Sequence, residues 1–387
     1  MTKRFKKIIV IGHSDINSNY GAATSIRMHL ILLSQIENYH FQLIYRRNFI
    51  TKKIRENKFK NIKLEKKFFE IDSSPFAHVS SSIVPKILFE KIPNIISFLT
   101  QRKTLNRIIT DDCDFIHLNS IILLPLVSIV RELIDIKQNS IKIIMHVREL
   151  VDKKAIKKYR NELNLIDKFV CIDYATKKSL IEADPEIRKE KIELISNPFI
   201  IPKESDDSLR AIFDQDSLNF AIVGGIYPDK GVEFVCKSFL DAEIKNGRLY
   251  VVGRVNNLAR ILQKKYPSEK IIFLGEIAEF AMRGGFLNID CLIRGEKTFC
   301  TGRTVYESML SGSICLLPGG GGVIKEDKNL YEFKDRVCFY EPRKSESLIE
   351  ALREIKKIDI SERLYWVAKV EKCVSSYIKN FERVYDI

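Results

Sequence analysis

The stretch from Asp290 to Gly312, D-C-L-I-R-G-E-K-T-F-C-T-G-R-T-V-Y-E-S-M-L-S-G, combines residue types able to hold a diphosphate without a metal. An apolar run ends near Ile293, a polar loop carrying Glu296 follows, and a helical pattern starts near Gly302 or Arg303, with Thr304 in its first turn. A helix start presents unpaired N–H groups and the positive end of the helix dipole. Gly302 lets a ligand approach the backbone closely. Glu307, about one turn further in, is spaced to reach a neutral pair of hydroxyls such as those of a ribose. A helix cap with a solvent-facing Glu is the plainer alternative. A second stretch, G-G-I-Y-P-D-K-G-V-E from Gly224 to Glu233, places Lys230 at a helix opening behind a turn stiffened by Pro228. An ammonium beside backbone amides can clamp a phosphate; a surface lysine in a turn is the alternative. Two further runs, V-V-G-R-V and F-L-G-E-I, close strands on Gly253–Arg254 and Gly275–Glu276.

These loops need strands to carry them. K-I-I-V-I-G at residues 7–12 reads as a buried parallel strand, because its β-branched run does not alternate. The loop N-Y-G-A-A-T, with Gly21, leads from it towards a helical pattern at 25–33. Further strands are expected at 41–45, 114–118, 141–146 and 169–172, and His117 and His146 stand at the ends of two of them. A helix is expected through 176–183. Residues 200–217 are polar and linker-like, and a second series of strands follows at 220–223, 249–252, 271–274, 290–293 and 314–317. Alternating strands and helices predict two successive α/β units with mostly parallel sheets. Ligands of such sheets bind beyond the carboxyl ends of the strands. Two such units imply a cleft in which donor and acceptor are held from opposite sides.

The 387 residues suit two or three domains. Lys and Arg number 64 against 50 Asp and Glu, a net charge of +14 that suits an anionic partner or a solvated basic surface. The eight cysteines form no C-x-x-C pair and no zinc-like spacing with His, so no metal site is expected, and a reducing cytosol is. The apolar run after the basic prefix M-T-K-R-F-K-K is too short for a secretory signal, and no apolar stretch is long enough to span a bilayer.

With these motifs in order, the chain resembles the retaining GT-B glycosyltransferases of the family-4 type. Asp290, Gly302, Glu307 and Gly312 fall in that family's donor-site register without a gap. The resemblance implies that Glu307 holds the donor ribose. The family's first Glu falls at Phe299, so Glu296 or backbone amides replace it, or the donor sugar is recognised differently, or the site is inactive. Lys230 matches the Lys of G-R-x-x-P-x-K-G, but Gly225 stands where the family has Arg; Arg303 or Arg254 are candidates for the missing charge. The turns at Gly253 and Gly275 would flank the nucleotide base, and Gly224 would belong to the donor site. Gly21 matches one of two glycines near the donor phosphates, with Ala22 at the other. His117 and His146 match positions near the transferred sugar, and S-N-P-F the hinge.

The resemblance implies a GT-B fold, two Rossmann-like domains facing each other across a cleft. Residues 1–198 would form the acceptor side, 199–360 the nucleotide-sugar side, and 361–387 a helix returning to the first domain. It implies sugar transfer from a nucleotide-sugar to a glycan or lipid-linked acceptor, with no cofactor beyond the donor as substrate. Lys230, His117, His146 and Glu296 are the expected catalytic group. Residues 46–67 hold ten basic residues, and 84–109 mix apolar and basic residues. An anionic membrane surface on the cytoplasmic side is therefore an expected partner; nucleic acid is not, for want of a recognition module. A degenerate GT-B protein partnering an active transferase is the competing expectation. A Rossmann oxidoreductase is disfavoured by the lack of G-x-G-x-x-G with a following acid.

Overall fold

The computed structural model describes residues 6–12, 21–33, 39–45, 102–103, 105–137, 139–151, 153–157, 159–266, 269–297, 302–319 and 332–386. The chain divides into two compact units, Met1–Pro198 with Tyr377–Ile387, and Phe199–Ser376.

In the first unit the strands are β1 (Lys6–Gly12), β2 (Tyr39–Tyr45), β3 (Phe115–Leu118), β4 (Lys142–Val147), β5 (Lys168–Cys171) and β6 (Ile192–Leu194). They pair in parallel in the order β2-β1-β3-β4-β5-β6. Ile8 to Ile11 are wholly buried, as a parallel strand covered on both faces requires. The longer helices described here are α1 (Gly21–Leu33), α2 (Val127–Ile136) and α3 (Tyr174–Ala183). Sequence sets the start of α3. The Asp173 carboxylate accepts from Thr176 N at 2.7 Å, and Thr176 Oγ1 accepts from Asp173 N at 3.2 Å, a reciprocal cap.

The second unit carries β7 (Leu218–Val223), β8 (Gly247–Val252), β9 (Ile271–Gly275), β10 (Cys291–Ile293), β11 (Ile314–Pro318) and β12 (Val337–Tyr340), again parallel, in the order β12-β11-β10-β7-β8-β9. Between the strands run α4 (Val232–Asp241), α5 (Asn257–Lys265) and α6 (Arg303–Leu310), and α7 (Ser345–Arg353) follows β12. Alternate residues of each strand enter opposite cores. Ala221, Tyr250, Leu292 and Cys315 pack on one face, while Phe220, Leu249, Cys291 and Leu316 pack on the other. Strand order reverses between β7 and β10, so their carboxyl ends lie side by side with no strand between them. That is where open α/β sheets take their ligands.

The final helix α8 (Ile360–Val384) serves both units. Its early part gives Trp366, Val367 and Val370 to the second unit's core. Its end belongs to the first unit, where Lys6 Nζ meets Asp386 Oδ1 at 2.6 Å.

Two strands, β6 and β12, were not expected from sequence, and both lie at sheet edges. Residues 46–67 and most of 84–109, which carried the membrane expectation, lie outside the described residues. Among the described residues no helix is long and apolar enough to cross a membrane.

Asp290 stands at the opposite end of β10 from the ligand side, and its role is to fasten the fold. Its wholly buried carboxylate accepts from Asn219 N at 2.9 Å, Ile358 N at 3.1 Å and Arg363 Nη2 at 2.8 Å. Asp290→Ala leaves Arg363 buried without its partner and should lower unfolding free energy by about 3–5 kcal/mol. Urea unfolding checks this; a loss below about 1 kcal/mol, the scale of an exposed pair, would contradict the anchoring role.

Candidate functional site

At the switch point of the second sheet, two loops meet backbone to backbone. After β7 the chain runs through Gly224 and a short turn, Pro228–Lys230, to Gly231, which has φ +63° and begins α4. After β10 it runs through Arg294, Gly295 and Glu296. A Cβ on Gly231 would stand 1.9 Å from the Gly295 carbonyl oxygen, so no other residue fits there. The same closeness joins the first two turns of the sheet, where a Cβ on Gly253 would stand 2.0 Å from Gly224 O. Gly253 N in turn donates to Gly275 O at 2.9 Å. The three glycine turns thus form a row along the ends of β7, β8 and β9.

Contact between the loops gathers charge. The Glu296 carboxylate, buried at 8% exposure, takes both sides of the Arg294 guanidinium, with Nε 3.1 Å from Oε2 and Nη2 in a shorter contact to Oε1. Lys230 Nζ lies 3.4 Å from the same Oε1. Arg294 Nη1 donates to Thr304 Oγ1 at 2.8 Å, and so lies across the start of α6. A Cβ on Gly302 would meet that guanidinium at 3.2 Å. The Tyr340 hydroxyl donates to the carbonyl of Arg294 and fixes its backbone. Arg343, itself at φ +62°, brings a third cation to Gly231.

One turn into α6, Arg303 Nε lies 2.6 Å from Glu307 Oε1, both side chains being about one-tenth exposed. The Arg303 guanidinium covers the Phe199 ring at 4.8 Å. Burial pushes the Glu307 carboxyl up, and the Arg303 charge beside it opposes the shift.

The structure therefore brings Lys230, Glu296, Gly302 and Thr304 together, with Arg303 and Glu307 on the same helix. Gly224, Gly253 and Gly275 line the neighbouring turns, and Arg254 and Glu276 are exposed beside them. Phe299 lies outside the described residues. Sequence reasoning overlooked Arg294. Its signal was a charged residue directly after a buried strand, one position from Gly295. Among the described residues no group of three His, Cys, Asp or Glu is placed to hold a metal ion.

Gly21, His117 and His146 belong to the first unit. Gly21 opens α1. The two histidines are wholly buried, and a third, His29 of α1, joins them. Polar contacts fix every proton in this group. Arg148 Nη2 can only donate, so His146 Nδ1, 3.1 Å away, accepts. His117 Nε2 faces the same Nδ1 at 3.2 Å and must carry its hydrogen. His117 Nδ1 then accepts from the Tyr385 hydroxyl at 2.6 Å. The Tyr385 oxygen accepts from His29 Nε2 at 3.2 Å, and His29 Nδ1 accepts from Tyr377 at 2.7 Å. This relay fastens the end of α8 to β3, β4 and α1. His146 Nε2 ends it, a buried donor with no partner among the described residues. His117 and His146, expected near the transferred sugar, are thus two covered rings engaged with the last helix.

No family model and no curated protein sequence matches the chain. Solved structures do. Anabaena Alr3699/HepE, in complex with UDP and glucose, matches with a TM-score of 0.69 at 14% identity, over 98% of this chain and 99% of that one. A glycosyltransferase from Rickettsia africae matches with 0.69 at 14%, over 98% of each chain. The lipopolysaccharide outer core galactosyltransferase WaaB matches with 0.61 at 13%, over 97% and 98%. Identities this low establish a shared fold, and the fold is that of the GT-B glycosyltransferases.

The relay requires neutral imidazoles. Burial, reinforced by neighbouring His117 and Arg148, holds His29 well below the usual value, and burial with Arg148 does the same for His146. His117 is pushed down to about 3 by burial, then by Arg148. All three folded values lie below the unfolded value of about 6.5, so protons bind the unfolded chain preferentially as pH falls through that value. Stability is full above that pH and drops below it, by up to about 1.4 kcal/mol per histidine per pH unit. Urea midpoints should therefore fall steeply between pH 7.5 and 5.5; midpoints that stay level would contradict the buried neutral relay.

Proposed function

We propose that this protein is a glycosyltransferase that moves a sugar from a nucleotide-sugar to an acceptor, with the diphosphate bound at the switch point of the second unit. One observation carries the reading. Lys230, Arg294 and the start of α6 converge where β7 and β10 part, on a fold shared with glycosyltransferases. The UDP and UDP-glucose held by the Anabaena protein support a donor of this class.

In this reading the reaction breaks the bond between the anomeric carbon and the diphosphate. Charge grows on the departing oxygens, and preorganised donors lower the barrier by meeting it. Lys230, Arg294 and the amides around Gly302 supply them. Glu307 receives the ribose hydroxyls, and the turns at Gly224, Gly253 and Gly275, with Arg254 and Glu276, border the nucleotide. His117 and His146 hold the framework of the first unit. No protein nucleophile is invoked: the acceptor attacks on the face the diphosphate leaves, giving retention of the family-4 kind. The phosphate charge is met by side chains and amides, so activity should survive EDTA. The acceptor would be a glycan or lipid-linked chain in surface polysaccharide or glycoconjugate synthesis, met at the cytoplasmic membrane face. Gly225 and Phe299 are the features that favour a degenerate partner protein; for the first, Arg294 supplies a second cation, and Phe299 lies outside the described residues.

A thermal-shift panel of nucleotide-sugars and nucleoside diphosphates tests the assignment, because a ligand selective for the folded state raises its stability. At least one donor should raise the melting temperature; a panel without a hit would overturn the reading. With the donor found, Lys230→Ala should lower turnover by about 10²–10³, the scale of one lost charge-stabilising donor. Undiminished turnover would show that Lys230 does not meet the leaving group.

A further inference from the structure

The charge cluster at the switch point contains its own anion. Glu296 is buried, yet its carboxylate is the shared partner of Arg294 and Lys230, which come from two different loops. Lys230 Nζ also lies 3.7 Å from Asp229 Oδ2, an exposed second carboxylate. Arg343 adds a further cation, its guanidinium 3.0 Å from where a Gly231 Cβ would be, and its buried Nε has no hydrogen-bond partner among the described residues. The nearby Arg303 is occupied by Glu307. Two features fix Arg294 in place whether or not Glu296 stays: the Thr304 hydroxyl takes its Nη1, and the Tyr340 hydroxyl holds its carbonyl. Lys230 is more exposed, at 36%, and holds Glu296 at the longer distance of 3.4 Å. The weak link of the triad is therefore the one facing solvent.

We infer that Glu296 is a resident counter-ion occupying the Arg294–Lys230 cation pair, and that the diphosphate of a nucleoside diphosphate takes that pair by displacing it. Arg294 is thus a binding residue for the diphosphate, and Glu296 a brake on its affinity. The physical basis is competition for the same donors. A carboxylate and a phosphate both accept from a guanidinium fork in two parallel hydrogen bonds, and the phosphate brings more charge. A resident carboxylate keeps both cations paired, and for the buried Arg294 a lone charge would be costly. It also weakens the hold on a product that must leave after transfer.

The inference rests on the glycosyltransferase reading, and one experiment separates the two. Binding of UDP, GDP, ADP and inorganic pyrophosphate is measured by calorimetry on the full chain and on the Glu296→Gln, Arg294→Gln and Arg294→Lys variants. Glu296→Gln should bind the preferred nucleoside diphosphate, and pyrophosphate, about tenfold more tightly than the unaltered chain. Arg294→Gln should bind about tenfold more weakly or worse, with Arg294→Lys between. Misfolding cannot produce a gain, so the Glu296→Gln result stands even if the arginine variants fail to fold. An unaltered chain that binds none of the four ligands overturns the glycosyltransferase reading and this inference with it. An unaltered chain that binds, beside a Glu296→Gln variant with equal or weaker affinity, overturns the inference alone.

Discussion

Two loops of the second unit touch backbone to backbone, and the candidate site depends on that contact. Gly231 in the left-handed conformation lies against Gly295, leaving no room for a side chain on the first. The closeness brings Lys230, which follows β7, within reach of Glu296, which follows β10, although 66 positions separate them in sequence. Parallel pairing of β7 with β10 sets the two strand ends side by side. Asp290 secures the far end of β10 through Asn219, Ile358 and Arg363. Geometry at the ligand side is thus held by a rigid sheet and by an ion pair at the opposite end.

Electrostatics then distinguishes two of the buried polar groups among the described residues. In the second unit, cations and carboxylates stand in pairs, Arg294 and Lys230 with Glu296, Arg303 with Glu307. Such pairs offer little net stability once desolvation is counted. Their value lies in charge kept ready at a fixed place. In the first unit the buried group is the opposite kind. His29, His117 and His146 are neutral, and the relay runs through Tyr385, just past α8, to Tyr377 of α8. One cluster suits an anionic ligand, and the other joins the last helix to the first sheet.

Much of the architecture was legible in the sequence, for a physical reason. Central parallel strands are covered on both faces, so runs such as I-I-V-I and C-L-I announce themselves. Two of the four edge strands do not: I-E-L of β6 and V-C-F-Y of β12 carry partly solvated side chains, and neither was expected. Glycine turns and Lys230 were legible because their chemistry is local. Arg294 was not, because its meaning comes from Glu296 and Thr304 folding around it. His117 and His146 looked like site residues because both sit near strand ends. Their partners, His29 and Tyr385, are distant in sequence, and no local pattern shows that α8 covers them.

A crystal structure with the nucleoside diphosphate selected by the thermal-shift panel tests most directly whether the switch point of the second unit is a diphosphate site. Phosphate oxygens are expected about 2.7–3.2 Å from Lys230 Nζ, the Arg294 guanidinium and the Gly302 amide, with Glu296 turned away. A nucleotide bound elsewhere, or one whose phosphates touch neither Lys230 nor Arg294, would contradict that assignment.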